Sequence, residues 1–538
     1  MSRLNARRKL RYAGCVKRMR GAWGQLGCAL LCLFSSQAQA QLERAPTAAE
    51  TQTLAPRLYA NGFLLWIYER PEQSPAPIGA LRAGQSVALR EVPGHTLGSA
   101  VKKGCGRGWF AVEPTGYVCL DHNASLDPTR YSQSMALLLP RPGPYPFEFA
   151  LSMGTPSYRR VPLQHEWLRK ERVFGPAGRR PLPPHWAGHE QLAQNPQLPS
   201  AEMLDFLAQR GSIARADETR LVRRDVQFGS MVALTRTFLA HGREFGQSAD
   251  GTLMPMDRLV VFQKSSFSGV ELHTGRTSGP TLPLAWPRRT TMVHVLSQGP
   301  ECQPPMAAEP GPQQNVLDPP VHLPGDCTLR AATELMPGTP HHLTGRVVTG
   351  GGKTWAQLAT ADPAGGWVEA HDLHIAEAVP SPPLSDAAHE VWISFTISQG
   401  TLVVYRGQTP VFATLASPGS GGTPRPGDDP LATRTTPVGR FRITFKYRSD
   451  DMSPEQSEHR DYFIADVPFA LYFQQPFAIH VAYWHETFGM PMSGGCINVS
   501  PRDGERLFTM TSPRVPDDWY AAGPSPVLGQ GTQIVVRR

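Results

Sequence analysis

Residues 478–501 read AIHVAYWHETFGMPMSGGCINVSP. His480 stands sixteen residues before Cys496, and Gly494 and Gly495 come immediately before the cysteine. Cysteine chemistry needs a thiolate, a base near it and donors for a developing oxyanion. This stretch can supply all three. Ala478–His480 also continues a series of short apolar runs that read as strands: Val391–Ile397, Thr401–Tyr405, Val411–Ser417, Phe441–Phe445, Tyr462–Ala465 and Ala470–Phe473. Turns fall at Gln399-Gly400 and Arg406-Gly407. Pro501 to Met510 reads as a helix next to the cysteine loop, with Leu507 and Phe508 apolar and Asp503, Glu505 and Arg506 polar. Thr532–Val536 closes the chain as a strand. Short, mostly antiparallel strands with one accessory helix predict a β-sandwich-like domain over 388–538.

The chain has 538 residues, room for roughly three or four domains. Its first twenty residues carry eight basic side chains and no acidic one. An apolar run, Leu26–Phe34, and a small-x-small site, Ala38-Gln39-Ala40, follow. This is the pattern of an export signal over 1–40. The run is too short to span a bilayer as a helix, so no transmembrane anchor is expected once it is removed. The whole chain has 53 basic and 45 acidic residues. Without the eight basic residues of the signal, the two counts are equal. The net charge therefore gives no argument for nucleic-acid binding. The expected location is the periplasm or cell envelope.

Cysteine usage fits an oxidising compartment. Cys15, Cys28 and Cys32 fall in the signal, leaving Cys105, Cys119, Cys302, Cys327 and Cys496. The local pairs are Cys105 with Cys119 and Cys302 with Cys327, although spacing does not establish connectivity. Cys496 is then the odd thiol, either a reactive group or an inert buried one.

Before the C-terminal domain, residues 56–125 alternate short strands with Pro and Gly clusters, which predicts a small β-barrel. Residues 126–300 mix Pro-rich turns with a helix expected around Ala201–Gln209 and a strand over Leu259–Phe262. They contain no motif with a mechanism. Residues 301–326 are rich in Pro and Gln and read as a linker. Residues 327–378 read as a further small β unit, and Pro380–Pro383 marks another boundary.

Two resemblances to known families bear on these regions. IGALRAGQ (78–85) followed by GWFAVEPTGYVCL (108–120) resembles bacterial SH3-like domains, with 327–378 as a possible second unit. That implies a binding module of a wall-associated protein. Residues 388–538 resemble the L,D-transpeptidase catalytic domain, also called YkuD. The hallmark is a histidine on one strand, then a loop, then Ser-His-Gly-Cys; His480, Ser493, Gly494, Gly495 and Cys496 stand at those places. Thr436-Pro437-Val438-Gly439-Arg440-Phe441 matches the family's TP-x-G-x-F turn and strand, and Gly400–Tyr405 leading to Val411–Ser417 matches its entry. Gly494 departs from the pattern, which has histidine there. The family's base is the upstream histidine, so the departure bears on loop shape and substrate room.

The resemblance implies an exported enzyme with Cys496 as nucleophile and His480 as base. It would cleave the L,D bond before the terminal D-alanine of peptidoglycan tetrapeptide stems. The thioester would pass to an amine, forming a 3–3 crosslink or attaching a protein such as an outer-membrane acceptor. Gly494 and Gly495 would help form the oxyanion site, and Ser493 and Asn498 would hold the loop or the substrate. Tyr483, Trp484 and His485 are candidate pocket residues, with core packing as the alternative for the two aromatics. No cofactor is required. His480, His485 and Cys496 lack a tight metal-ligand pattern, so no metal is expected. Gly419–Gly422 reads as a flexible lid or connector, and His341, His342, His371 and His374 as exposed loop residues. Two other functions compete: an L,D-carboxypeptidase using water as acceptor, and a catalytically silent peptidoglycan-binding protein.

Overall fold

The computed structural model describes residues 56–73, 76–93, 101, 104–176, 220–273, 281–296, 302, 316–325, 327–359, 365–379, 390–452 and 463–538. The export signal, the helix around Ala201–Gln209, the Pro380–Pro383 boundary and most of the 301–326 linker lie outside these residues. The fold is mainly β. Cys105 is disulfide-bonded to Cys119 and Cys302 to Cys327, while Cys496 is in no disulfide. None of the described helices is long and apolar enough to cross a membrane.

The C-terminal domain packs two sheets against each other. One has six strands, in the order Val270–Glu271, Thr409–Leu415, Thr401–Arg406, Val391–Thr396, Gln533–Arg537, Gly439–Arg442. Val391–Thr396 runs parallel to Gln533–Arg537, so the last strand of the chain closes beside the first strand of the domain. Ile393, Phe395, Leu402 and Val404 point into the core shared with Leu471, Phe473, Ile479, Val481, Ile497 and Val499 of the second sheet. Trp392, Val403, Tyr405 and Leu415 point the other way, onto Leu284, Trp286 and Ala376. This sheet is therefore buried on both faces, which explains why its strands read as continuous apolar runs.

The second sheet carries Cys496. Phe445–Met452 pairs antiparallel with Ile464–Gln474, which pairs with Phe477–Val481, which runs parallel to Ile497–Val499. The helix Pro501–Met510 follows at once. Ser500 caps it by accepting the Asp503 N–H at 3.2 Å, and Pro501 occupies the first turn. Asp503 lies inside rather than on a polar face. Its carboxylate accepts Thr414 Oγ1 at 2.6 Å and the Gly269 N–H at 2.9 Å. Burial pushes this carboxyl upward, and those donors oppose the shift.

The upstream regions are built into this sheet. Met231–Ala240 continues it through a Met231–Ile464 bridge. Gly79–Arg82 extends it on the other side, pairing with Ala521–Ala522, which pairs with Phe445–Met452. Leu64–Ile67 and Gly79–Arg82 thus belong to the same sheet as the cysteine strand. Between Arg57–Ala60 and Ala124–Ser125 the N-terminal segment forms a separate three-stranded sheet and one hairpin. Strands between Leu284 and Ala376 form an eight-stranded sheet that begins earlier in sequence than 327, since Leu284–Pro287 and Thr291–Leu296 are among them. His374 lies in this sheet, almost fully buried, and is not a loop residue. His341 and His342 are half-buried in a strand, whereas His371 is exposed.

Candidate active site

Strand register sets the positions of the candidate groups. His480 is paired directly with Asn498 across the parallel Phe477–Val481 and Ile497–Val499 strands. Partners in register share a sheet face, and so do residues two apart along a strand. Cys496, two residues before Asn498, is therefore placed towards the face that carries His480. The intervening residues, Ile479 and Ile497, are fully buried in the opposite core. His480 is 3% exposed and Asn498 1% exposed, whereas Cys496 is half-buried.

Both ring nitrogens of His480 are engaged. Nδ1 lies 3.0 Å from the Val481 carbonyl oxygen, and the Asn498 amide nitrogen lies 3.1 Å from Nε2. With Asn498 donating, the imidazole is neutral and carries its proton on Nδ1. Asn498 is held in turn from behind, because its backbone exchanges two hydrogen bonds with Ser417, at 2.8 and 2.9 Å. A side chain that fixes an imidazole in this way is a pattern that general bases use. Asn498 acts on His480 rather than on the loop.

The cysteine turn is shaped by Ser493 and Gly495. Ser493 Oγ donates to the Cys496 carbonyl at 2.5 Å and accepts the Gly495 N–H at 3.0 Å. The Gly495 N–H, a candidate oxyanion donor, is thus hydrogen-bonded inside the turn. Gly495 has φ +133°, and a Cβ there would sit 2.4 Å from Phe477 Cε1 and 3.0 Å from the Thr435 carbonyl oxygen. No other residue fits this position without moving its neighbours. Gly494 is exposed. Cys496 Sγ lies 4.0 Å from the Pro476 carbonyl oxygen.

The Gly419–Gly422 run, expected to be a flexible lid or connector, is bonded into the same turn. Ser420 N–H donates to the Ser493 carbonyl at 2.7 Å, Met492 N–H to Pro418 at 2.9 Å and Gly419 N–H to Thr436 Oγ1 at 2.9 Å. Thr436, at the head of the TP-x-G-x-F motif, is fully buried and tethers this run. The motif was visible in the sequence, but not the partner its threonine would take.

The three candidate pocket residues separate. Tyr483 is 4% exposed and stacks on Phe149 with ring centroids 3.7 Å apart, with Phe262 at 5.6 Å. It packs the site loop against Phe149 and Phe262, the core packing that was the alternative for this residue. Trp484 is half-buried, 6.0 Å from the His480 ring, and is the least buried of the three. His485 is buried, with its ring 4.9 Å from Phe488. The same loop rests on His374, since a Cβ on Gly489 would lie 2.8 Å from that ring. Burial and then Arg288 pull His374 down to about 4, against the hydrogen bond of its Nδ1 with the Gln399 carbonyl at 2.6 Å.

Tyr472 and Asp450 escaped the sequence reading. The Tyr472 hydroxyl donates to Asp450 at 2.7 Å. Burial, Asp450 and the nearby Cys496 all push this phenol upward. Among the described residues no cluster of ligating side chains could hold a metal ion.

Residues 390–536 match the family model described as the L,D-transpeptidase catalytic domain, YkuD. No curated protein sequence matches the chain. Solved structures similar to it include an L,D-transpeptidase of Xylanimonas cellulosilytica, 20% identical over 29% of this chain and 64% of that one, TM-score 0.20. An L,D-transpeptidase variant of Enterococcus faecium is 18% identical over 30% of this chain and 54% of that one, TM-score 0.21. An L,D-transpeptidase of Mycobacterium smegmatis is 18% identical over 34% of this chain and 90% of that one, TM-score 0.21. The chain spans less than two thirds of the Xylanimonas and Enterococcus proteins. Its segment 390–536 is a YkuD-family L,D-transpeptidase catalytic domain.

Proposed function

We propose that this protein is an exported cysteine L,D-transpeptidase acting on peptidoglycan stem peptides. The observation that supports this most is the register of His480 with Asn498, two residues beyond the half-buried Cys496, which is in no disulfide. Cys496 attacks the carbonyl of the third residue of a tetrapeptide stem, and His480 accepts the thiol proton. The tetrahedral oxyanion is met by the turn around Gly494 and Cys496, because the Gly495 N–H is already committed. The C–N bond then breaks, D-alanine leaves with the proton from His480, and a thioester remains on Cys496. The amine of a second stem attacks the thioester, His480 takes its proton, and the thiol is released as a new amide forms. Asn498 orients the neutral imidazole through Nε2, and its amide oxygen can accept the Nε2–H once the ring has taken the proton. Tyr472 and Trp484 flank the reacting groups.

The test is product analysis. Mature protein incubated with a disaccharide tetrapeptide should give a crosslinked dimer by mass spectrometry. A tripeptide alone would assign water as the acceptor, and no conversion would leave only a binding role. A Cys496→Ala variant that kept either reaction would refute the nucleophile.

A further inference from the structure

The chain between the strands Phe477–Val481 and Ile497–Val499 carries no helix or strand of its own. Its shape therefore depends on what its side chains pack against. Two pieces of chain that lie before the matched segment 390–536 reach this loop.

The first piece is the strap 262–272. One end is fixed to the catalytic domain. Val270–Glu271 pairs with Thr409–Leu415, and the Gly269 N–H donates to the buried Asp503 carboxylate at 2.9 Å. The approach is close, since a Cβ on Gly269 would sit 2.5 Å from the Ala413 carbonyl oxygen. From that anchor Phe267 stacks on Phe488 with ring centroids 5.4 Å apart, and Ser265 Oγ donates to the Glu486 carboxylate at 2.8 Å. The second piece is the strand Leu373–Ala376. Ile375 N–H donates to Gln399 Oε1 at 3.0 Å, and Thr401 Oγ1 donates to the Ile375 carbonyl at 3.3 Å. His374, whose Nδ1 donates to the Gln399 carbonyl, then meets Gly489 with its ring. Gly489 also lies against Gly400, where a Cβ would sit 2.0 Å from its carbonyl oxygen.

The upstream chain thus grips the loop at Glu486, Phe488 and Gly489. Phe488 is buried in one core with Leu284 and Trp286 of the eight-stranded sheet. Trp484 packs where that core meets the core behind the cysteine strand, and its half-buried ring stands beside His480. Its place is set by neighbours that residues outside the family segment hold.

We propose that Phe267 and His374 are positioning residues, which hold the Trp484 loop as a wall for the stem peptide and so make the upstream chain part of the substrate site. This rests on the reading of the domain as peptidoglycan-directed, and two readouts keep the ideas apart. Tetrapeptide is titrated by calorimetry into mature Cys496→Ala protein and into the same protein carrying Phe267→Ala or His374→Ala. In protein that keeps Cys496, iodoacetamide alkylation of that thiol reports on the Cys–His pair itself. Each alanine variant should weaken tetrapeptide binding about fivefold, with the alkylation rate within about twofold of the parent. Phe267→Tyr, which keeps the stacked ring, should bind within about twofold of the parent. Phe267 is half-buried, so its variants decide the matter if His374→Ala fails to fold. The proposal is overturned if the parent does not bind tetrapeptide, if Phe267→Ala binds it like the parent, or if alkylation slows in step with the loss of binding. Weakened binding in the variants with no product from the Cys-containing enzyme would instead count against the transpeptidase reading.

Discussion

Gly495→Ala tests the geometry of the cysteine turn most severely. The backbone at 495 has φ +133°, a conformation that costs a non-glycine residue about 1–3 kcal/mol. The new methyl would meet Phe477 Cε1 at 2.4 Å, roughly 1 Å inside ordinary contact. Phe477 is 4% exposed and cannot swing outward, and overpacking of this kind costs about 1–3 kcal/mol more. The Thr435 carbonyl at 3.0 Å closes the other side. The total is roughly 2–6 kcal/mol. The turn can relieve part of it only by moving, and it carries Cys496. A displacement of about 1 Å at a reacting group costs on the order of 100-fold in rate. The expected result is a variant that unfolds at lower urea than wild type and, below that transition, forms product at least about 100-fold more slowly. Near-wild-type stability and turnover together would refute the claim that this turn is sterically fixed.

Three further outcomes follow from the same geometry. Asn498→Ala removes the donor to a buried imidazole, so kcat should fall by about 1–3 kcal/mol in barrier terms, with KM for the stem peptide little changed; a KM effect alone would place Asn498 on the substrate. Phe149→Ala should destabilise the protein by about 3–5 kcal/mol in urea titrations, because it removes the ring on which Tyr483 stacks. His374 titrates near 4 when folded and near its ordinary value when unfolded, so its contribution is fully present above about 6.5. That contribution is lost as pH falls towards 4, by up to about 3 kcal/mol. Denaturation of wild type and His374→Gln at pH 7.5, 5.5 and 4.5 should show a shallower acid loss in the variant, whereas parallel curves would contradict this account.

The parts legible in the sequence were those written in short-range order. Apolar runs broken by turns gave the β-rich domain, and the spacing of His480, the Gly-Gly pair and Cys496 marked the candidate chemistry. The role of Asn498 depended on parallel pairing with a strand eighteen residues away, which no local pattern encodes. Asp503 looked like the polar face of an amphipathic helix, yet it reaches Thr414 and Gly269 in distant segments. Tyr483 could be read as pocket or core, and only the position of Phe149 decides. His374 appeared exposed because its neighbours His371 and Asp372 are polar, whereas strand pairing with Trp286 buries it. Each of these side chains takes its role from a long-range partner, and burial follows the partner rather than local composition.

The central claim is that Cys496 carries the acyl group. Wild-type protein mixed with tetrapeptide substrate, quenched in acid within one turnover and mapped by mass spectrometry, should show the acyl-tripeptide mass on the peptide containing Cys496. The adduct should be labile to hydroxylamine, as a thioester is, and absent from Cys496→Ala. Product formation with no adduct on Cys496, or in the Cys496→Ala variant, would contradict the account.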